Sequence, residues 1–404
     1  MLENGKLRRV LSRRVAARRP RTAYWLYGAA ASLCIGLSLF GARALFAPRS
    51  APDAATETRL CARGNDRAPC RTPREIEALL RAPDLEIEHG EQTASGRQNA
   101  RLLTLVASSA GRRTRFRAKW RAISTAHGLN DPRKEIIAYE IQKLFLLPQD
   151  YVVPPATTYC LDLDAYKRRV DARAAETFPR TQCVFGTLSF WLENAETSGT
   201  VLDREQFKLD PLYRQTLADT NLLLFLTSNG DTHQDQFISV MGQGGRRVYF
   251  VDFTISLSTY RNPTLTFDED WSNLHVPLVP ANLERLRRLS NAELERLTVV
   301  EQYERTGNRL VRREPTRSTE PHPDVGLWWS HEQLRIGMTA KEIDLVRERR
   351  ARSCAASTAA SRRPAFAPNA PRPSEAARVA RSPMHPRVLG ERLCASTTRP
   401  CQPM

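Results

Sequence analysis

Two runs decide the reading of this 404-residue chain: Asn229-Gly230-Asp231-Thr232-His233-Gln234-Asp235-Gln236-Phe237-Ile238-Ser239-Val240 and Arg247-Val248-Tyr249-Phe250-Val251-Asp252-Phe253. Each contains a short apolar strand, and Gly242-Gln243-Gly244-Gly245 supplies a turn between them, so the two are expected to pair as an antiparallel hairpin. Pairing sets the start of the first strand beside the end of the second. Asp231, Asp235 and Gln236 are therefore expected near Asp252. Carboxylates gathered in this way suit a divalent cation that bridges phosphate oxygens.

Phosphoryl transfer asks little covalent chemistry of a protein. It needs a group to orient the attacking hydroxyl, ligands for a metal, and a cation on the phosphates. Asp231 suits the first role, Asp252 the second, with Gln236 assisting and Asp235 as a secondary ligand. Each has a plainer reading. Asp231 alone is a turn aspartate, Asp235 a loop cap, and His233 a hydrogen-bonding loop residue. Asp252 is the more telling, because a carboxylate bracketed by apolar residues at a strand end needs a partner.

Working toward the N-terminus, Leu102–Ala107, the turn Ser108-Ser109-Ala110-Gly111 and Thr114–Trp120 read as another hairpin. Lys119 on it is the candidate for the phosphates, although Arg115, Arg117 and Lys119 alternate as they would on a solvated strand face. Pro132–Leu147 has helical spacing of Ile136, Ile137, Tyr139, Ile141, Leu144 and Phe145, with Asp131 as N-cap and Pro132 at the first turn. Glu135 or Glu140 on this helix is available to pair with Lys119. Later, Ser290-Asn291-Ala292-Glu293 and Thr339-Ala340-Lys341-Glu342 match capping boxes, which predicts a mainly helical C-terminal half.

Asp231, a polar amide five residues on, and Asp-Phe twenty-one residues after Asp231 resemble the catalytic loop and metal-binding aspartate of protein-kinase-like enzymes. The chain is most similar in this respect to the atypical secretory-pathway kinases, the Golgi casein kinase and four-jointed group. Glu135–Phe145 leading to Val152-Val153-Pro154-Pro155 resembles their αC helix and the strand after it, and Gly186–Glu193 falls where their interlobe hinge would lie. The likeness covers roughly residues 100–260. It implies an α+β, two-lobed kinase-like fold with a small β-rich N-lobe and a mainly helical C-lobe. It also implies ATP and Mg²⁺ or Mn²⁺ as cofactors, a hydroxyl-bearing acceptor such as a protein, and a preference for Glu135 over Glu140. Glu193, near the hinge, becomes a candidate for contacting a nucleotide. Three features depart from the family. Gln236 replaces the usual Asn, Thr254 follows Asp252-Phe253 where the kinase motif has Gly, and Ser108–Gly111 is the only candidate for a glycine-rich loop. A kinase-like scaffold without catalysis is therefore the alternative.

Residues 22–42 contain no charged side chain and are long enough for a transmembrane helix. The segment 1–21 before them has eight basic residues and one acid, which predicts a signal anchor with a cytoplasmic N-terminus and an exported domain. Ala42-Arg43-Ala44 also fits a cleavage site, so a removed signal peptide is the alternative. Gly28, Ser32 and Gly36 form a small-residue stripe through which such a helix can dimerise. Residues 43–75 read as a stalk, 76–350 as the kinase-like domain, and 351–404, with eight prolines, as a disordered basic tail. Much of the formal charge of +17 sits in the two ends, and no aromatic-lined basic groove is visible, so a nucleic-acid partner is not expected. Eight cysteines without a CxxC pattern argue against a zinc ribbon. Export would allow disulfides at Cys61–Cys70 and Cys160–Cys183.

Overall fold

A computed structural model describes residues 60, 70–93, 100–109, 111–123, 130–193, 195–197, 203–242, 245–258, 279–316, 322 and 324–362. Helix α1 (Pro73–Leu80) opens with a capping box, Thr72 accepting from the Glu75 amide and Glu75 from the Thr72 amide. Its Ile76 and Leu80 are fully buried against a five-stranded antiparallel sheet.

That sheet comprises β1 (Leu85–Gln92), β2 (Arg101–Ser109), β3 (Arg112–Ala122), β4 (Ala156–Asp162) and β5 (Cys183–Phe190) in the order β1-β2-β3-β5-β4. The β2–β3 hairpin forms as predicted, turning at Gly111, whose φ of 75° suits a residue without Cβ. Strand β3 alternates from Arg115 to Trp120. Phe116, Ala118 and Trp120 are buried beneath the sheet, while Arg113, Arg115, Arg117, Lys119 and Arg121 line the opposite face. β5 packs tightly on β3 because Gly186 has no side chain: a Cβ there would lie 2.4 Å from the Arg121 carbonyl oxygen and 2.6 Å from the Trp120 ring. Helix α2 (Arg133–Phe145) connects β3 to β4. It starts one residue later than predicted, with Pro132 at the cap position and Asp131 Oδ1 accepting from the Arg133 amide at 3.0 Å. Val152–Pro155, expected as the strand after it, is irregular, and β4 begins at Ala156. Helix α3 (Leu163–Arg169) follows β4.

After β5 come the two-residue strand β6 (Glu196–Thr197), α4 (Arg204–Leu209), α5 (Pro211–Thr227), β7 (Phe237–Gly242) and β8 (Gly245–Phe250). β6, β7 and β8 make a three-stranded sheet. The β7–β8 hairpin forms as predicted, with Phe237 opposite Phe250. It packs on α5, where Thr216 Oγ1 accepts from the Val248 amide at 3.0 Å. α5 is buried on nearly every side and centres a core shared with α2, β8 and the later helices.

The remainder corrects the expectation of a mainly helical C-lobe. Helices α6 (Pro280–Arg288), α7 (Asn291–Glu295) and α8 (Ala340–Arg362) are present, and both predicted capping boxes form. Between α7 and α8, however, lies a four-stranded antiparallel sheet of β9 (Glu301–Thr306), β10 (Arg309–Arg313), β11 (Leu327–Ser330) and β12 (Gln333–Ile336). Its Tyr303, Leu310, Leu334 and Ile336 bury themselves against Cys183 and Phe185 of β5 and Phe178 of the segment before it. Glu301, only 1% exposed, is held there by Thr157 Oγ1 at 2.7 Å and by Arg312. Short alternating runs separated by turns carry no helical period, and capping boxes mark only the helices they begin.

Two further expectations change. No described helix is long and apolar enough to cross a membrane, so the fold class shown by the described residues is α+β. Residues 22–42, to which that helix was assigned, lie outside the described residues. The segment expected as a disordered tail is helical over its first dozen residues, because α8 extends to Arg362. Cys160 and Cys183 form the predicted disulfide, with Cα atoms 5.5 Å apart. Cys70 is also disulfide-bonded, while Cys61, its predicted partner, lies outside the described residues.

Candidate functional site

The outward face of β3 is a row of cations, each meeting its own acid. Arg113 pairs with Glu86 at 2.5 Å, Arg115 with Glu88 at 2.6 Å, Arg117 with Glu193 at 2.6 Å, Lys119 with Glu135 at 3.0 Å, and Arg121 with Asp252 at 3.1 Å. From Arg115 onward side-chain exposure falls along the row, from 71% there to 17% at Lys119 and 6% at Arg121. Solvated pairs at the start of the strand contribute little. The buried pairs at its end are where a strand of cations becomes a site.

Lys119 and Glu135 come together because β3 runs directly into the connection to α2, whose first turn carries Glu135. Ser189 of β5, opposite Lys119 in the sheet, donates to the other Glu135 oxygen at 2.7 Å. Burial works to lower the Lys119 ammonium, but Glu135 and Asp252 outweigh it and raise the pKa, so the lysine is protonated. Of the two acids weighed on α2, Glu140 instead meets Lys143 at 2.7 Å.

Asp252 stands at the end of β8 with φ of 75°, a left-handed conformation that costs a side-chain-bearing residue about 1–3 kcal/mol. The turn is over-determined by its neighbours: Val251 N–H donates to the Gln236 carbonyl at 3.0 Å and the Thr254 carbonyl accepts from the Asp131 amide at 2.9 Å. Burial works to raise the Asp252 carboxyl, but Lys119, Arg121 and the Thr254 hydroxyl, 2.7 Å from Oδ1, hold it down to about 2. It is ionised at any physiological pH.

The loop bearing Asp231 leaves α5 through Ser228, also left-handed, and is laced to the segment after β8. Leu257 N–H donates to the Thr227 carbonyl at 2.5 Å, Gly230 N–H to the Ile255 carbonyl at 3.3 Å, and Ser228 Oγ to the Ser258 carbonyl at 2.9 Å. The loop leading into Asp231 and the segment that follows Asp252 thus run side by side, and Asp231 is partly exposed. The Asn229 side chain accepts from the Asp231 amide at 3.0 Å, while its Nδ2, buried, has no hydrogen-bond partner among the described residues.

Other expected site residues are engaged elsewhere. Glu193 is buried and forms a two-pronged pair with Arg117, which leaves no carboxylate oxygen directed to a nucleotide. Gln236 is buried with Oε1 accepting from the His233 amide at 3.2 Å, and Asp235 is 63% exposed with its nearest cation the His233 ring at 3.8 Å. The turn Ser108–Gly111 lies at the wrong end of the sheet. Arg112 at that turn is seven residues from Lys119, roughly 23 Å along an extended strand. The β1–β2 connection, closed by Thr93 N–H donating to the Ala100 carbonyl at 3.3 Å, lies at the Lys119 end, since Leu102 is opposite Lys119.

This donor set does not fit a divalent cation held by protein ligands. Among the described residues no three His, Cys, Asp or Glu side chains gather as a metal site. Gln236 and Asp235 are turned to other partners, and the carboxylate that remains, Asp252, is already paired with a guanidinium. Sequence reading missed that guanidinium, Arg121. The available signal was its position two residues after Lys119, on the same strand face.

Fold and site together define an α+β protein with a buried cation–carboxylate cluster between a five-stranded sheet and two laced loops. No family model and no curated protein matches the chain. Among solved structures it is similar to one described as the crystal structure of the Golgi casein kinase, at 12% identity, over 54% of this chain and 64% of that one, with a TM-score of 0.33. The chain thus spans a little under two thirds of that structure's length.

Proposed function

We propose that the chain is a phosphotransferase that uses a nucleoside triphosphate such as ATP and delivers the γ-phosphoryl group to a hydroxyl of a protein, glycan or lipid headgroup. The observation that carries this reading is the Lys119–Glu135 pair facing an ionised Asp252. A protonated lysine on the third strand, fixed by an acid on the next helix, is a positioned cation for phosphate oxygens. In this reading Asp231, on the loop laced to the segment after Asp252, accepts a hydrogen bond from the attacking hydroxyl and takes up its proton. Asn229 Nδ2, a buried donor without a partner among the described residues, suits an oxygen of the bound acceptor or nucleotide. The Cys160–Cys183 disulfide supports work in an oxidising compartment.

A second reading, a nucleotide-free scaffold of the same fold, is favoured by one observation: Asp252 is satisfied internally by Arg121 and Thr254. Binding of ATP to the full chain, followed by calorimetry with and without Mg²⁺ or Mn²⁺ and beside a phosphoryl-transfer assay, separates the two. The phosphotransferase reading expects Lys119→Met to weaken ATP binding by about tenfold or more, as loss of a charge-assisted contact does. It expects Asp231→Asn to abolish transfer while ATP still binds. A folded chain that takes up no nucleotide under any of these conditions would leave the scaffold.

A further inference from the structure

Arg121 is the least explained feature of the cluster. Its side chain is 6% exposed, yet it stands at the centre of the charges: Nη1 lies 3.1 Å from Asp252 Oδ1 and 3.8 Å from Glu135 Oε1, while Nη2 donates to Asn130 Oδ1 at 2.6 Å. Its backbone is fixed as firmly. Arg121 is opposite Thr187 in the β3–β5 pairing, and the missing side chain of Gly186 lets its carbonyl sit against β5. A buried guanidinium is costly unless its partners are well placed. Here they are the two carboxylates that would otherwise face the phosphates.

Resting on the phosphotransferase reading, we propose that Arg121 supplies the positive charge that a divalent cation would bring to Asp252, so that this site binds the nucleotide phosphates through Lys119 and Arg121 without a divalent ion. Three facts point the same way. The position against Asp252 Oδ1 is taken by Nη1, and by the Thr254 hydroxyl at 2.7 Å. The two side chains that could complete a metal shell are unsuited to it, Gln236 by its bond to the His233 amide and Asp235 by its exposure. Arginine also differs from a metal in permanence: its charge is always present and needs no dehydration to take its place. Lys119 and Arg121 are successive cations on one strand face, and Lys119 Nζ and Arg121 Nη1 lie 3.0 and 3.8 Å from the same Glu135 Oε1, close enough to each other to act on one polyphosphate chain.

The test is the affinity of the full chain for ATP in EDTA and in excess Mg²⁺, by calorimetry, for wild type, Arg121→Met and Asp252→Asn. Wild type is expected to bind in EDTA with an affinity within about threefold of that in Mg²⁺, a difference under 1 kcal/mol. Arg121→Met should lose about tenfold or more in EDTA, the loss expected of a charged contact, and recover in Mg²⁺, because Asp252 is then left for the cation. Asp252→Asn, which releases Arg121 and keeps the shape of the side chain, should bind ATP in EDTA more tightly than wild type. This variant keeps the inference testable if Arg121→Met does not fold. Wild type that binds ATP only with Mg²⁺ would overturn the inference and leave the phosphotransferase reading standing. So would equal metal-free binding by Arg121→Met, or loss of all binding in Asp252→Asn. A folded wild type that binds no ATP in either buffer would remove both.

Discussion

Replacing Asp219 by Asn should abolish a specific dependence of stability on pH. Asp219 lies on α5, 1% exposed, with Oδ1 accepting from Asn282 Nδ2 of α6 at 2.8 Å and Oδ2 without a hydrogen-bond partner among the described residues. Burial pushes its carboxyl up to about 7. The bond from Asn282 works against this, Asp150 adds to it, and Arg285 and Arg247 moderate it. An unfolded chain would titrate the same residue near the ordinary carboxylate value of about 3.9. Between roughly pH 4 and 7 the folded state therefore holds a proton that the unfolded state has released, and stability falls as pH rises through that window. Three pH units at about 1.4 kcal/mol each give a loss of about 4 kcal/mol, complete above pH 7. Asn has the shape of the protonated acid and cannot ionise. Urea denaturation of both proteins from pH 4 to 8 should show the variant equal to wild type at the acid end. It should gain on wild type by up to about 4 kcal/mol at the alkaline end. Asp150 limits the gain slightly, because it titrates more easily once its neighbour is neutral. A difference that stays flat, or wild type gaining on the variant as pH rises, would show that Arg247 and Arg285 keep Asp219 ionised and would refute the reasoning.

Two other consequences can be checked by denaturation. Cys160→Ser with Cys183→Ser opens a crosslink spanning 23 residues and should cost about 3 kcal/mol on the chain-entropy estimate, with little change in the denaturant slope; unchanged stability would mean the bond does not form in solution. Arg133, buried between Asp131 at 2.9 Å and Glu342 at 2.7 Å, also donates to the Gly337 carbonyl at 2.6 Å. Arg133→Met should cost about 3–5 kcal/mol by leaving Glu342 buried and unpaired. Adding Glu342→Met should recover most of that loss, and a double variant no more stable than the single one would show that the pair's charge is not what matters.

What the sequence revealed, and what it hid, follows the range of the interactions involved. The two hairpins were legible because an alternating strand, a glycine turn and another strand are adjacent in the chain. The Lys119–Glu135 pair was within reach because sixteen residues separate its members. Capping boxes were legible for the same reason: Ser290 with Glu293 and Thr339 with Glu342 each act over three residues. The sheet of β9–β12 was not, since its burial depends on Phe178 and Phe185, more than a hundred residues earlier, and nothing in Leu327–Ile336 announces them. Arg121 was hidden for a related reason, its partner Asp252 being 131 positions away.

The row of cations on β3 shows why pattern alone leaves such a site undecided. Arg113, Arg115, Arg117, Lys119 and Arg121 share one period and one face, so alternation makes them equivalent. Burial separates them, and burial is set from outside the strand. Glu86 and Glu88 come from the edge strand β1, beyond β2, and remain accessible to solvent, whereas Glu135 arrives on a helix that the core encloses and Asp252 on a turn held to Gln236, to Asp131 and to the loop that leaves α5. The same interaction is therefore a minor surface contact at one end of β3 and a fixed electrostatic arrangement at the other. Because Arg121 is at the enclosed end, the charge facing Asp252 is part of the fold itself, formed when β3, β5 and α2 pack.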